Sequence, residues 1–398
     1  MKIRQFLALL LAAALLTAPP AAAGAYYDDH EAVTAAVPPS AAAIGASLTL
    51  NAGSALLVER ETGQVLYEKN ADAPRAIASI TKVMTMILVM EAIESGRIAL
   101  EDEVTASHHA YETGGAQIWL EPGEVMTVDQ LLRAVAVASA NDAAVALAEY
   151  VGGSEEVFVA DMNRKAAELG MTGTTFKNCN GLDEPGHISC ARDVAVMSRE
   201  VLRHELIRRY ITIWQDTLRG GKTELTNTNK LLKRYNGITG IKTGTTDDAG
   251  VCITASAERG GMELIAVVLG SPSGKDRFDA ATALLDFGFA HFELADVAAG
   301  FVCPPPAVAH GQTDTVPLAY RLPEHIVVEK GKKEQVSVTA ELRGGLCAPI
   351  AAGEPLGEIC ILCGSDVLLT VPVTAAGPVA RVDFLLGLRL LLRELARM

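Results

Sequence analysis

A serine followed three positions later by a lysine, Ser79-Ile80-Thr81-Lys82, opens a run that is apolar almost all round: Ile80, Val83, Met84, Ile87, Leu88 and Met90. A hydroxyl becomes a nucleophile only when a base takes its proton, and a lysine of ordinary pKa, about 10.4, is protonated at neutral pH. Burial and a neighbouring cation both push that pKa down. Residues i and i+3 share a helix face, so Ser79 and Lys82 read as nucleophile and base of an acyl-transfer reaction. The pattern is weak alone, because composition gives about half a chance match in such a chain. A serine at a helix start is also an ordinary N-cap. Capping leaves a lysine inside an apolar helix unexplained.

Two later motifs supply what such a pair needs. Ser139-Ala140-Asn141 falls between two apolar helical runs. The Ser139 hydroxyl suits a proton relay between Lys82 and a leaving amine, and the Asn141 amide suits holding a substrate backbone or orienting Lys82. Asp142, just ahead of a helical run, reads as a cap. Lys242-Thr243-Gly244 lies on an alternating segment that continues through Thr245. Lys242 becomes the second cation, and an attractor of anionic substrate, if its strand borders the Ser79 helix. Gly244 allows close backbone approach, and an edge strand there can pair with an extended peptide. Backbone N–H groups of Ser79 and Thr245 would then form an oxyanion hole. The expected catalytic residues are Ser79, Lys82 and Ser139; the expected substrate-binding residues are Lys242, Asn141, Thr243, Gly244 and Thr245.

These residues must be positioned by an α+β domain. The segment SALLVERETGQVLYEKN alternates on both sides of Thr62 and Gly63 and predicts a hairpin. Spacing near 3.6 predicts helices from Ser79 and over 128–138, 142–150, 155–169 and 191–204. Short strands follow, ITGIKTGTT, GVCITASAE and MELIAVVLGS, too closely connected for crossovers and therefore antiparallel. A helix from 277 to about 292 closes the domain, leaving strands at both sequence ends and helices between. The run Cys303-Pro304-Pro305-Pro306 marks a boundary, and alternation beyond it predicts a small β-domain. The expected domains are 47–298 and 299–376.

The ends suggest a place of work. Lys2 and Arg4, an apolar stretch over 6–16 and the small residues Ala21, Ala22 and Ala23 read as a secretory leader over 1–23, with a linker over 24–46. Removing 1–23 takes away two cations and no acid, moving the net charge from -14 to -16. An acidic exported chain does not suit nucleic acid. Over 377–398, Arg381, Arg389, Arg393 and Arg397 share one helical face, with Phe384, Leu388, Leu391, Leu392 and Leu395 around the remainder. Such a helix suits the membrane interface; packing on the β-domain or a dimer seam is the other reading. Seven cysteines are an odd set for a secreted chain. Cys303 with Cys347, or Cys347 with Cys360, could bridge, and Cys360-x-x-Cys363 reads as strand cysteines rather than a zinc or redox site. The eight histidines show no metal spacing; no metal or organic cofactor is implied, and His187 reads as a loop-fixing residue.

The trio resembles that of penicillin-binding proteins and class A β-lactamases, with Ala140 where Asp is usual. The blocks IASITKVMT, GGAQIWLEPGE, LLRAVAVASANDAAVALAEYVGG, GLDEPGHISCARD and GITGIKTGTTDDAG resemble the low-molecular-mass penicillin-binding proteins, the D-alanyl-D-alanine carboxypeptidases of serine peptidase family S11. The likeness covers about residues 48–293. It implies an acyl-enzyme on Ser79, Lys82 as proton acceptor, Ser139 as a second active-site residue, Lys242 as substrate-binding lysine, and release of terminal D-Ala from a stem pentapeptide of peptidoglycan. It also implies acylation by β-lactam antibiotics and a membrane anchor on the outer face of the cytoplasmic membrane. Cys179 and Asn180 replace a common Pro and His, and Ala116 a frequent Ser. A β-lactamase would need an added base, usually in a Glu-x-x-Leu-Asn block, which is absent; an inactive binding homologue would not need all four of Ser79, Lys82, Ser139 and Lys242. Arg277 suits either a substrate carboxylate or a surface charge at a helix start.

Overall fold

The computed structural model describes residues 48–297 and 300–384, together with 387, 388 and 395. The expected leader, the linker and most of the C-terminal amphipathic helix lie outside those residues. Among the described residues no helix is long and apolar enough to cross a membrane.

β1 (Ser54–Glu59) and β2 (Val65–Lys69) form the hairpin around Thr62 and Gly63. The helices follow: α1 (Lys82–Glu94), α2 (Val128–Arg133), α3 (Asn141–Gly152), α4 (Glu155–Glu168) and α5 (Ala191–Val201). Then come β3 (Ile238–Thr246), β4 (Gly250–Arg259), β5 (Met262–Ser271) and α6 (Gly274–His291). The five strands make one antiparallel sheet in the order β2-β1-β5-β4-β3. β1 pairs with β5, so the first strand joins the last and closes the domain, while β3 is left at an edge.

Side chains alternate across a strand, and the two faces of the sheet feed two cores. Leu56, Val58, Ile265 and Val267 face the helical cluster, where α1 is buried on every side over residues 82–90. Leu57, Leu264, Ala266 and Val268 face α6 through Leu284, Leu285 and Phe287. α6 starts at Gly274 rather than at 277, because Ser273 caps it by accepting from the Asp276 N–H. That cap draws Arg277 into the first turn and against the sheet.

β6 (Phe292–Asp296) leaves α6 directly and pairs with β7 (His325–Glu329). β8 (Val336–Leu342), β9 (Pro355–Cys363) and β10 (Asp366–Ala375) form a second antiparallel sheet, β10-β9-β8, extended at the β10 side by the short strand Leu318–Ala319. All seven cysteines are free thiols, so neither bridge considered above forms. Cys360 and Cys363 are strand residues of β9.

α6 lies close on the sheet because of Gly288: a Cβ there would stand 2.9 Å from Leu57 Cδ2 and closer still to Leu264. Gly288→Val should therefore lower the unfolding free energy by about 1–3 kcal/mol, read as a lower midpoint in urea. An unchanged midpoint would contradict this packing.

Candidate active site

The chain enters α1 through a 3-10 turn, Ala78–Thr81, and becomes α-helical at Lys82. In a 3-10 turn residues i and i+3 eclipse, which sets Lys82 over Ser79 more directly than the α-helix expected from the sequence. Neither this turn nor α1 carries a side-chain cap. The Ser79 hydroxyl instead lies 2.9 Å from Lys82 Nζ. Gly181, at φ +87°, lets a loop close on this turn, since a Cβ there would overlap the Ala78 carbonyl and stand 2.9 Å from Thr81 Oγ1.

Lys82 is completely buried, and burial pushes its ammonium down to about 7 against the opposing influence of Cys179 and Asp142. Its other two partners are carbonyl oxygens: Asn141 Oδ1 at 2.6 Å and the Asn180 backbone at 2.6 Å. A neutral amine has two N–H bonds and one lone pair. Two acceptors hold the N–H bonds, and the lone pair is left facing the Ser79 hydroxyl.

Each anchor is fixed in turn. Asn141 donates through Nδ2 to the Gly114 carbonyl at 2.6 Å, and its backbone N–H donates to Ala116 at 2.7 Å. Asp142 is not the helix cap the sequence suggested, because α3 begins at Asn141. Its fully buried carboxylate accepts from the N–H groups of Ile118 and Leu120, holding the loop that Asn141 touches. Asn180 is held by the same loop as Gly181: Thr85 donates to the Cys179 carbonyl, and His187 Nε2 lies 2.8 Å from Thr81 Oγ1. His187 Nδ1 accepts from the Lys177 N–H, and burial lowers its pKa to about 4, so it is a neutral loop fastener, as expected.

Ser139 follows a π-helical turn over Ala134–Ala138 and is itself left-handed, at φ +62°. Its hydroxyl is buried and has no hydrogen-bond partner. A strained serine with an unsatisfied buried hydroxyl is a common mark of a working site.

On the other side stands β3. A Cβ on Gly244 would stand 2.7 Å from the Ile77 carbonyl, 2.9 Å from Ala78 Cβ and 3.0 Å from the Ser79 nitrogen, so strand backbone meets helix-start backbone. Lys242 shares the face of Gly244 by the two-residue period and is fully buried. Burial, with the charges of Lys82 and Arg277, holds its pKa well below the ordinary lysine value. β3 thus borders the Ser79 turn, but the Lys82 pKa is lowered by burial rather than by Lys242, whose own pKa is the one depressed by its cationic neighbours. Thr243 turns the other way, donating to Thr228 Oγ1 at 2.6 Å. Thr245 is exposed on that same face, and its hydroxyl donates to the Gly244 carbonyl. Arg277 is not a surface charge: it is buried, with Nη1 donating to the Gly244 and Cys252 carbonyls at 3.2 and 3.1 Å, and burial lowers its pKa to about 10.

A serine in hydrogen-bond reach of a desolvated lysine and a glycine-bearing edge strand now share one site. Residues 39–273 match the family model described as D-alanyl-D-alanine carboxypeptidase. The chain belongs to this family. Residues 297–381 match a second model, the penicillin-binding protein 5 C-terminal domain, which covers the second sheet. D-alanyl-D-alanine carboxypeptidase DacF of Bacillus subtilis is 42% identical over 349 residues, 86% of this chain and 90% of the relative. Penicillin binding protein 5 of Haemophilus influenzae superposes with a TM-score of 0.77 at 30% identity, over 84% of this chain and 99% of the other. Penicillin-Binding Protein D2 of Listeria monocytogenes, solved in its cefotaxime-bound form, gives 0.56 at 33% identity over 61% and 99%.

Asp142→Asn keeps one carbonyl oxygen but loses the charge that strengthens the bonds to Ile118 and Leu120. We expect a loss of about 1–3 kcal/mol in urea unfolding and faster proteolytic cleavage within 113–120. Neither change would be seen if the carboxylate did not anchor the loop.

Proposed function

We infer that the chain is a serine-type carboxypeptidase that removes the terminal D-alanine from peptidoglycan stem pentapeptides, and that β-lactam antibiotics acylate the same serine. The observation that carries this is the partner set of Lys82: two carbonyls and the Ser79 hydroxyl, in full burial. Family membership and the relative with bound cefotaxime support the substrate class.

An extended peptide pairs along the open edge of β3, with its terminal carboxylate at the end marked by Lys242 and Arg277. The scissile carbonyl oxygen lies between the backbone N–H groups of Ser79 and Thr245. Lys82 takes the Ser79 proton as Oγ bonds to the carbonyl carbon. The tetrahedral intermediate collapses, the C–N bond breaks, and the departing D-Ala nitrogen receives that proton through the Ser139 hydroxyl, which has no other partner. Water then attacks the ester with Lys82 again as base, releasing the shortened peptide and restoring Ser79. Thr243 contributes backbone rather than side chain in this scheme.

The same proposal extends to location. The leader and the basic amphipathic terminal segment support an exported enzyme held at the outer face of the cytoplasmic membrane, and Phe384, Leu388 and Leu395 are exposed.

Fluorescent penicillin should label the wild type and not Ser79→Ala, and D-Ala release from a pentapeptide should vanish with the label. Lys82→Arg places a permanent cation at the base position, and acylation should fall about 10²–10⁴-fold; a full wild-type rate would remove Lys82 from the base role. Ending the chain after residue 383 should leave D-Ala release intact and move the protein from the membrane to the soluble fraction. Continued sedimentation with membranes would refute the anchor.

A further inference from the structure

At the end of α1 opposite Ser79, the C-terminal turns of three helices come together. Glu91 and Glu94 lie on the last turn of α1, Lys165 and Glu168 on that of α4, and Glu200 on that of α5, with His204 just beyond it. His204 is buried, and its Nδ1 lies 2.9 Å from both Glu94 carboxylate oxygens. A carboxylate only accepts, so Nδ1 carries the proton. Nε2 is buried, has no hydrogen-bond partner and stands 4.0 Å from Glu200 Oε1. One ligand atom each from Glu91, Glu200 and His204 lies within 4.8 Å of the others.

We propose that Glu91, Glu200 and His204 form a divalent-cation site, of the class that takes Zn²⁺, stapling the ends of α1 and α5. Two carboxylate oxygens and an imidazole nitrogen are a zinc donor set, with water completing the shell. Glu94 on Nδ1 is the outer carboxylate that fixes a ligating histidine.

The charge balance points the same way. Glu91, Glu94, Asp161, Glu168 and Glu200 face three fixed cations: Lys165, 2.5 Å from Glu91 Oε1 and 4.0 Å from Glu200 Oε1; Arg203, 3.7 Å from Glu200 Oε2; and Arg164, which holds Asp161 and lies 3.6 Å from Glu168 Oε1. Two negative charges remain, and three helix C-termini add their carbonyl ends. Lys165 has Glu168 Oε2 at 4.0 Å as an alternative partner when a metal takes Glu91. The Glu91 side chain is 32% exposed, which gives an ion a way in.

The test is calorimetric titration of the metal-stripped full chain with Zn²⁺, with thermal melts alongside. One equivalent should bind, raising Tm by roughly 5 °C at a hundredfold excess over Kd. That equivalent should disappear in His204→Ala and weaken at least tenfold in Glu91→Gln, a partly exposed position whose change leaves the core intact. His325→Ala, which breaks the separate exposed grouping of Glu61, Glu324 and His325, should keep it. The proposal is overturned if the wild type binds no Zn²⁺, if Glu91→Gln binds it with wild-type affinity, or if His325→Ala alone abolishes binding.

Discussion

An ammonium ion removed from water is unstable relative to its neutral amine unless acceptors or anions replace the lost hydration. Lys82 is in that position, and the surrounding structure decides which form it takes. α1 is apolar on every side, which excludes water from the Lys82 stem and head. Two carbonyl oxygens accept its N–H bonds and bring no full charge with them. Asp142, which opposes the shift, is already engaged by the N–H groups of Ile118 and Leu120. The outcome is a lysine beside a serine with a substantial neutral fraction at neutral pH.

The rest of the fold serves that environment. The pairing of β1 with β5 closes the sheet, and β3 is left at the edge where Gly244 can meet the Ser79 turn. Lys242 and Arg277 then bring two basic groups into the same buried region, each with its pKa lowered, chiefly by burial. A peptide's terminal carboxylate provides the negative charge this arrangement lacks. The Ser139 hydroxyl, without a partner of its own, lacks a hydrogen bond that a substrate can supply.

Much of this was legible in the residues. β3 and β5 begin and end where their sequence segments do, because turn residues bound both. Ser79, Lys82 and Asn141 come within hydrogen-bond reach, as side-chain chemistry and helix spacing required. The Asn180 carbonyl is not legible in the sequence because a backbone group carries no residue-type signal. Asp142 reads as a cap in the sequence because its actual partners are 24 and 22 residues earlier in the chain, a tertiary contact that a capping rule does not see. Arg277 is ambiguous in the sequence because the Ser273 cap, which moves the helix start, decides whether it is buried. Thr243 sits on the right strand and the wrong face for its hydroxyl to meet Ser79.

The central claim is that Lys82 works as a neutral base. The direct measurement is the pre-steady-state rate of Ser79 acylation by a penicillin of constant charge, from pH 5 to pH 9, with the adduct confirmed by peptide mass. The folded-state pKa is lowered to about 7, so the neutral fraction, and with it the rate, should fall as pH drops through that value and level off above it. A rate that is flat across the whole range, or that rises as pH falls, would contradict the account.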